Sequence, residues 1–248
     1  MADPWPQPTL APRDPNSILV LQTGEIEILG RMPWSSNGTY LTSVAGTEAM
    51  VDHVLPAIYK PASGEKPLWD FPAGLWRREV AAYETARWLG WWIVPPTVEV
   101  DGPLGIGSLQ YFIPARFDEH YFTFGTDPQL RNQLERICLF DLITNNTDRK
   151  GGHILIDQED HCWGIDHGLS FHEEFKLRTV LWDFAGDELS PEDVEAIEHL
   201  TAASIPEGLT ELLTPAEIQA LMQRASWVLE NPVFPSDPTG RRYPWPMV

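Results

Sequence analysis

Apolar positions along the chain recur with two periods, near two and near 3.6 residues, and Gly, Pro, Asn and Asp separate the stretches. "SILVLQTGEIEILGRM" (17–32) predicts a short strand, a turn at Gly24 and a second strand with alternating Ile26 and Ile28. Asn37-Gly38 marks a turn before a strand through Tyr40 and Leu41. "HVLPAIYKP" (53–61) predicts another strand, ended near Pro61. Leu75, Val80, Tyr83, Ala86 and Leu89 then fall at helical spacing, with Gly90 as the stop. "PPTVEV", "DGPLGIG" and "SLQYFIP" form a hairpin. The clearest helix covers 127–144, where Leu130, Leu134, Ile137, Leu139 and Phe140 make an apolar side. Two short strands follow, "HILID" and "HCWGI", about the turn "QED". Ser-Pro and Thr-Pro open two last helices, from "SPEDVEAIEHL" and "TPAEIQALMQRASWVL".

Strands with one helix come first and mainly helices afterwards, the order of an α+β chain. The expected division is a β-rich N-lobe over 17–113 and a mainly helical C-lobe over 114–232, two small lobes sharing a cleft. Pro-rich segments, 1–16 and 233–248, flank them, and the first is expected to be poorly ordered. No internal repeat is present.

Composition narrows the class of partner. No apolar run approaches the roughly 20 residues that cross a bilayer. The opening "MADPWPQPTLAPRD" lacks the cationic and apolar regions of a secretory signal. These features predict a soluble, cytoplasmic protein without stable membrane anchoring. The formal charge of −19 opposes nucleic acid and anionic membrane surfaces, which repel acidic proteins. Cys138 and Cys162 lie in apolar surroundings and read as reduced core thiols. Trp69, Trp76, Trp91 and Trp92 read as packing residues.

Within this frame, the polar residues between apolar stretches form a set suited to phosphoryl transfer. That reaction needs phosphates held in place, metal ions neutralising charge and a carboxylate aligning the acceptor hydroxyl. Ser35, Ser36, Asn37, Gly38 and Thr39, a small-residue turn between strands, fit a phosphate cradle; a plain hairpin turn has the same sequence. Lys60 ends a strand, as a lysine reaching the α- and β-phosphates would. Either Glu79 or Glu84 on the following helix fits as its ion-pair partner. Asp148 follows a buried-looking helix, and Asp166 follows a buried-looking strand eighteen positions on. The intervening hairpin would return the chain so that both carboxylates line one edge, one for the acceptor and one for metal. Arg149 and Lys150 are candidates for contact with an anionic acceptor or with phosphates.

"WSSNGTYL", "AIYKPASGEKP", "GIGSLQYFI", "NNTDRKGGHILI" and "GIDHGLSF" occur in the order and with the character found in phosphatidylinositol 3-/4-kinase-like proteins. The sequence resembles most the type II phosphatidylinositol 4-kinases and their bacterial relatives, over about residues 31 to 172. The resemblance implies a two-lobed protein-kinase-like fold that uses ATP with Mg²⁺ or Mn²⁺. By position it implies that Ser35 to Thr39 form the phosphate loop and that Lys60 is the ATP lysine. Gln110, Tyr111, Phe112 and Ile113 match the hinge facing adenine, Asp148 the catalytic aspartate and Asp166 the metal-binding aspartate.

Two departures stand out. Where the family carries a metal-holding Asn five residues after the catalytic aspartate, this chain has His153. Imidazole suits Mn²⁺ or Zn²⁺ better than Mg²⁺, so a Mn²⁺ preference or single-metal operation is expected; a strand-starting His that hydrogen-bonds the loop is the other reading. A zinc cluster of His153, His167 and His172 lacks established zinc spacing. The loop after Lys60 also lacks a Cys-rich palmitoylation stretch, which favours a soluble hydroxyl acceptor over a lipid one. The expected activity is therefore transfer of the γ-phosphoryl group of ATP to an unidentified hydroxyl acceptor. Transfer of AMP by a nucleotidyltransferase, or a weakly active ATP-binding regulator, are the alternatives. The oligomeric state is not legible in the sequence.

Overall fold

The computed structural model describes residues 7–33 and 35–248. Trp34 and residues 1–6 lie outside them. The chain forms two compact units, and the first runs up to Tyr83 and resumes over Pro95–Pro114. It opens with helix α1 (Pro15–Thr23), where the apolar run had predicted a strand. The Asp14 carboxylate accepts from the Asn16 amide at 2.8 Å, and Pro15 presets the first turn. This capping decides the conformation of "ILVL", a run too short for periodicity to assign.

Five strands follow: β1 (Glu25–Arg31), β2 (Tyr40–Ala45), β3 (Val54–Pro61), β4 (Thr97–Gly102) and β5 (Gly105–Tyr111). They pair antiparallel in the order β1-β2-β3-β5-β4. Helix α2 (Leu75–Trp88) lies in sequence between β3 and β4. Its periodic residues, from Leu75 to Leu89, are all buried, and Gly90 takes the left-handed φ of +70° beyond its end. Val20, Leu21, Leu55, Ala57, Tyr59 and Leu109 are fully enclosed in the first unit. Over residues 7–16 the N-terminal segment is more ordered than its Pro content predicts. Thr9 exchanges bonds with the backbone of Val54, and the Tyr111 hydroxyl donates to the Leu10 carbonyl at 2.6 Å.

The second unit combines Glu84–Val94 with Ala115–Val248. Its elements are α3 (Tyr121–Phe124), α4 (Arg131–Thr144), β6 (Ile154–Ile156), β7 (Cys162–Gly164), α5 (Pro191–Ala202), α6 (Glu207–Leu212) and α7 (Pro215–Glu230). Strands β6 and β7 form the small hairpin expected from the sequence. Ser190 and Thr214 cap α5 and α7, each with Pro in the first turn. Glu84–Val94 joins this unit despite falling inside 17–113. The Ile93 carbonyl accepts from the Gly164 amide at 2.6 Å, and Arg136 lies over the Trp91 ring. The Pro-rich tail is laid along the same unit: Phe234 is buried, and the Met247 carbonyl accepts from the Gly151 amide at 2.7 Å.

Trp76 and Trp91 are packing residues, as expected, whereas Trp69 is 96% exposed and Trp92 is 42% exposed. Both cysteines are free, and burial pushes the Cys162 thiol up to about 12 and raises that of Cys138. Among the described residues, no helix is long and apolar enough to cross a membrane.

Candidate active site

In the first unit, Lys60 lies near the end of β3, opposite Ser108 of β5. Its ammonium pairs with the Glu79 carboxylate from α2, which is almost wholly buried. This decides between the two glutamates, because Glu84 pairs instead with Arg87 at 3.2 Å. Helical phase is the reason. Glu79 shares the inward face with Val80 and Tyr83, whereas Glu84 sits on a more exposed one.

Ser35 to Thr39 precede β2. The Ser35 and Thr39 hydroxyls are 2.7 Å apart, and Ser36 is exposed. The Gly38 amide donates to the Gly64 carbonyl at 2.8 Å, so that N–H is already committed within the protein. A Cβ on Gly38 would stand 2.9 Å from the Gly64 backbone, which is why only glycine fits there. At the end of β5, the Gln110 side chain donates to the Thr97 hydroxyl at 2.9 Å, and Tyr111 reaches Leu10. Phe112 and Ile113 are buried, and the Phe112 amide donates to the Pro56 carbonyl. The side chains of Gln110 and Tyr111 are thus engaged inside the first unit.

In the second unit the β6–β7 hairpin returns the chain, and His153 links the two aspartate-bearing loops. Its Nδ1 donates to the Asp148 carbonyl at 3.0 Å, since a carbonyl can only accept. Its Nε2 faces Asp166 Oδ2 at 3.3 Å. Two donors about 2.1 Å from one ion, at roughly a right angle, stand about 3 Å apart, so this pair fits two positions on a divalent metal. Among the described residues no group of three His, Cys, Asp or Glu side chains is placed to hold a metal, so remaining ligands would be phosphate oxygens or water. His167 and His172 take no part with His153. His167 is buried against Arg149, and His172 bonds the Glu174 amide.

Asp148 Oδ2 accepts from Lys150 Nζ at 3.1 Å. Burial raises the Asp148 carboxyl above its usual range; Lys150 opposes that rise and Asp166 adds to it. Lys150 keeps 20% of its side chain exposed.

Arg149 is placed differently from the expectation. Its side chain is fully buried and cannot meet an acceptor. Its Nε and Nη2 grip Asp141 of α4 bidentately, both at 2.9 Å. Nη1 donates to the carbonyls of His153 at 3.0 Å and Ile165 at 2.6 Å, and Nη2 also donates to His167 Nε2 at 2.7 Å. These five contacts use all five guanidinium N–H groups. Ile165 and His167 flank Asp166, whose φ of +60° is uncommon outside glycine. Such a conformation persists where the surroundings over-determine it, and Arg149 supplies that constraint. Asn146 completes the network, donating to Asp141 at 3.1 Å and accepting from the Asp148 amide at 3.0 Å. Sequence reasoning missed Asp141 and Asn146, and it considered His167 only for a zinc cluster. The available signal was an aspartate set among the apolar residues of α4.

Residues 97–211 match the family described as "Phosphatidylinositol 3- and 4-kinase". Protein Rv2133c of Mycobacterium tuberculosis is 38% identical over 265 residues, covering 92% of this chain and 94% of that protein. The chain belongs to the phosphatidylinositol 3- and 4-kinase-like family. Another relative, phosphatidylinositol 4-kinase gamma 3 of Arabidopsis thaliana, is 30% identical over 116 residues, which are 44% of this chain and 19% of that protein. A solved structure of hydra Fam20 with sugar has a TM-score of 0.61 at 13% identity, covering 86% of each chain, a likeness of fold. The α+β, kinase-like fold expected from the sequence is the fold of this family member.

Proposed function

We propose that this kinase-family protein is an ATP- and divalent-metal-dependent phosphotransferase that moves the γ-phosphoryl group to a hydroxyl. The observation that carries this reading is the meeting of Asp148, His153 and Asp166 across the β6–β7 hairpin. Lys60, oriented by Glu79, would hold the α- and β-phosphates. Asp148 would accept the hydroxyl proton as the acceptor oxygen attacks phosphorus and the bond to the ADP oxygen breaks. A metal ion held by Asp166 and His153 would supply charge neutralisation for the phosphate oxygens. Lys150 would meet the transferred phosphoryl group. The charge of −19 favours a soluble small-molecule or protein hydroxyl over a lipid headgroup at an anionic surface.

The test is product analysis after incubation with ATP and either Mg²⁺ or Mn²⁺, with Asp148→Asn and Asp166→Ala variants alongside. Metal-dependent ADP formation or a phosphoryl adduct, lost in both variants, is the expected result. An AMP adduct would replace the reading with nucleotidyl transfer. ATP binding without turnover across a panel of hydroxyl acceptors would replace it with a regulator.

A further inference from the structure

Three segments of the first unit are laced together around a side chain that neither the sequence reading nor the proposed chemistry uses. Glu65 lies in the segment after β3, just beyond a 3₁₀ turn over Ala62–Gly64. Its carboxylate accepts from the Gly74 amide at 2.9 Å through one oxygen and from the Trp76 amide at 2.8 Å through the other. Gly74 immediately precedes α2 and Trp76 lies in its first turn, and amides at that end have no partner within the helix. A negative charge there is further favoured by the helix dipole.

The same short segment grips the phosphate-loop candidate from its other side. Gly64 accepts from the Gly38 amide at 2.8 Å, and the Lys66 amide donates to Asn37 Oδ1 at 3.0 Å. The glycines pass so closely that a Cβ on Gly64 would stand 2.8 Å from Gly38 Cα. Lys60 and Ala62 are two residues apart, and Glu79 lies one helical turn beyond Trp76. A closed circuit results. Lys60 meets Glu79 at one end, Glu65 holds the start of the same helix at the other, and residues 64–66 bind residues 37–38.

We propose that Glu65 is a positioning residue that couples the loop at 35–39 to the Lys60–Glu79 pair, so that the loop's conformation sets the register of α2. Glu65 contacts no reacting atom in this scheme and acts through the helix it caps. The proposal rests on the nucleotide reading of the site, and it adds the group that makes the lysine–glutamate pair responsive to phosphate binding. A cap serving helix stability alone would require no bond from residues 64–66 to the loop.

Calorimetric titration with ATP and with adenosine provides the test, on wild type, Glu65→Ala, Glu65→Gln and Asn37→Ala. Glu65→Ala is expected to weaken ATP about tenfold while leaving adenosine binding unchanged, because the loss is confined to the phosphates. Glu65→Gln keeps one acceptor oxygen and is expected to fall between. In Glu65→Ala/Glu79→Ala the ATP loss should not exceed that of the worse single variant. Amide hydrogen exchange should quicken at Gly38 as well as at Gly74 and Trp76. Equal weakening of ATP and adenosine, unchanged ATP affinity, or exchange confined to Gly74 and Trp76 would overturn the coupling. Should Glu65→Ala fail to fold, Glu65→Gln and Asn37→Ala carry the same comparison. Wild-type protein that binds neither ATP nor adenosine would instead overturn the nucleotide reading, and the role given to Glu65 with it.

Discussion

Arg149 and Asp141 form a bidentate ion pair, both contacts at 2.9 Å, with neither side chain exposed to solvent. The pair ties the end of α4 to the loop that carries Asp148, and its remaining N–H groups reach both sides of Asp166. Burial raises the Asp141 carboxyl, while Arg149 and Asn146 pull it back towards the ionised form. A buried pair of this kind is expensive to break from one side, because the remaining charge keeps no partner.

Asp141→Asn should therefore cost about 3–5 kcal/mol in denaturant unfolding. Arg149→Lys should also abolish turnover, since an ammonium cannot reproduce the planar five-donor pattern. The double variant Asp141→Leu/Arg149→Met should lose less than the sum of its single changes. Full additivity would show that the two residues do not act as a pair.

If Asp148 is the base of the proposed reaction, it should set the pH dependence. Its pKa is raised by burial, so it ionises only above the usual carboxylate range. As a base it works ionised, and kcat/KM should rise with pH through that raised value. Lys150 lowers the value, so Lys150→Met should move the acid limb to higher pH. The sign for stability is opposite. A carboxyl raised on folding stabilises the protein below its unfolded pKa, and this is lost as pH rises through the folded pKa. Asp148→Asn should accordingly be inactive yet at least as stable as wild type at neutral pH, measured by Tm.

Lys60 and Glu79 act together, and Glu84 does not. Glu79→Gln should reduce kcat/KM for ATP by about tenfold to a hundredfold, a loss of about 1.4–2.8 kcal/mol of transition-state stabilisation. Glu84→Gln should stay within about twofold, because its partner is the exposed Arg87. Equal effects of the two substitutions would contradict the observed pairing.

On the proposed reading, His153 should set the metal preference. Chelation with EDTA should stop turnover, and Mn²⁺ should restore it better than Mg²⁺. His153→Asn should reverse that order by restoring a hard oxygen ligand beside Asp166. Mn²⁺ electron paramagnetic resonance in the presence of ADP gives a second readout, in which nitrogen coupling should disappear in the variant.

Gly38→Ala should weaken ATP binding by about tenfold or more, as the added methyl would meet the Gly64 backbone at 2.9 Å. Ser36→Ala, on the exposed side of the same turn, should have little effect on stability.

Local pattern determined most of the secondary structure, because periodicity and caps act within a few residues. The helix at Leu75–Trp88 follows from its 3.6-residue repeat, and those at Pro191 and Pro215 from their Ser-Pro and Thr-Pro starts. The hairpin between Asp148 and Asp166 was legible in the same way, and with it the meeting of the two loops. The sequence misled where a short apolar run has no period, as in "ILVL". It misled again where residue type implies exposure: a loop arginine in so acidic a chain reads as a surface charge. Only the tertiary structure supplied the enclosed Asp141 carboxylate, three backbone and side-chain acceptors around Arg149, and the helical phase that sends Glu79 rather than Glu84 to Lys60. Glu65 was invisible for a related reason. It caps α2 from nine and eleven residues upstream of the amides it binds, outside any local capping motif, and such closure depends on how distant segments pack.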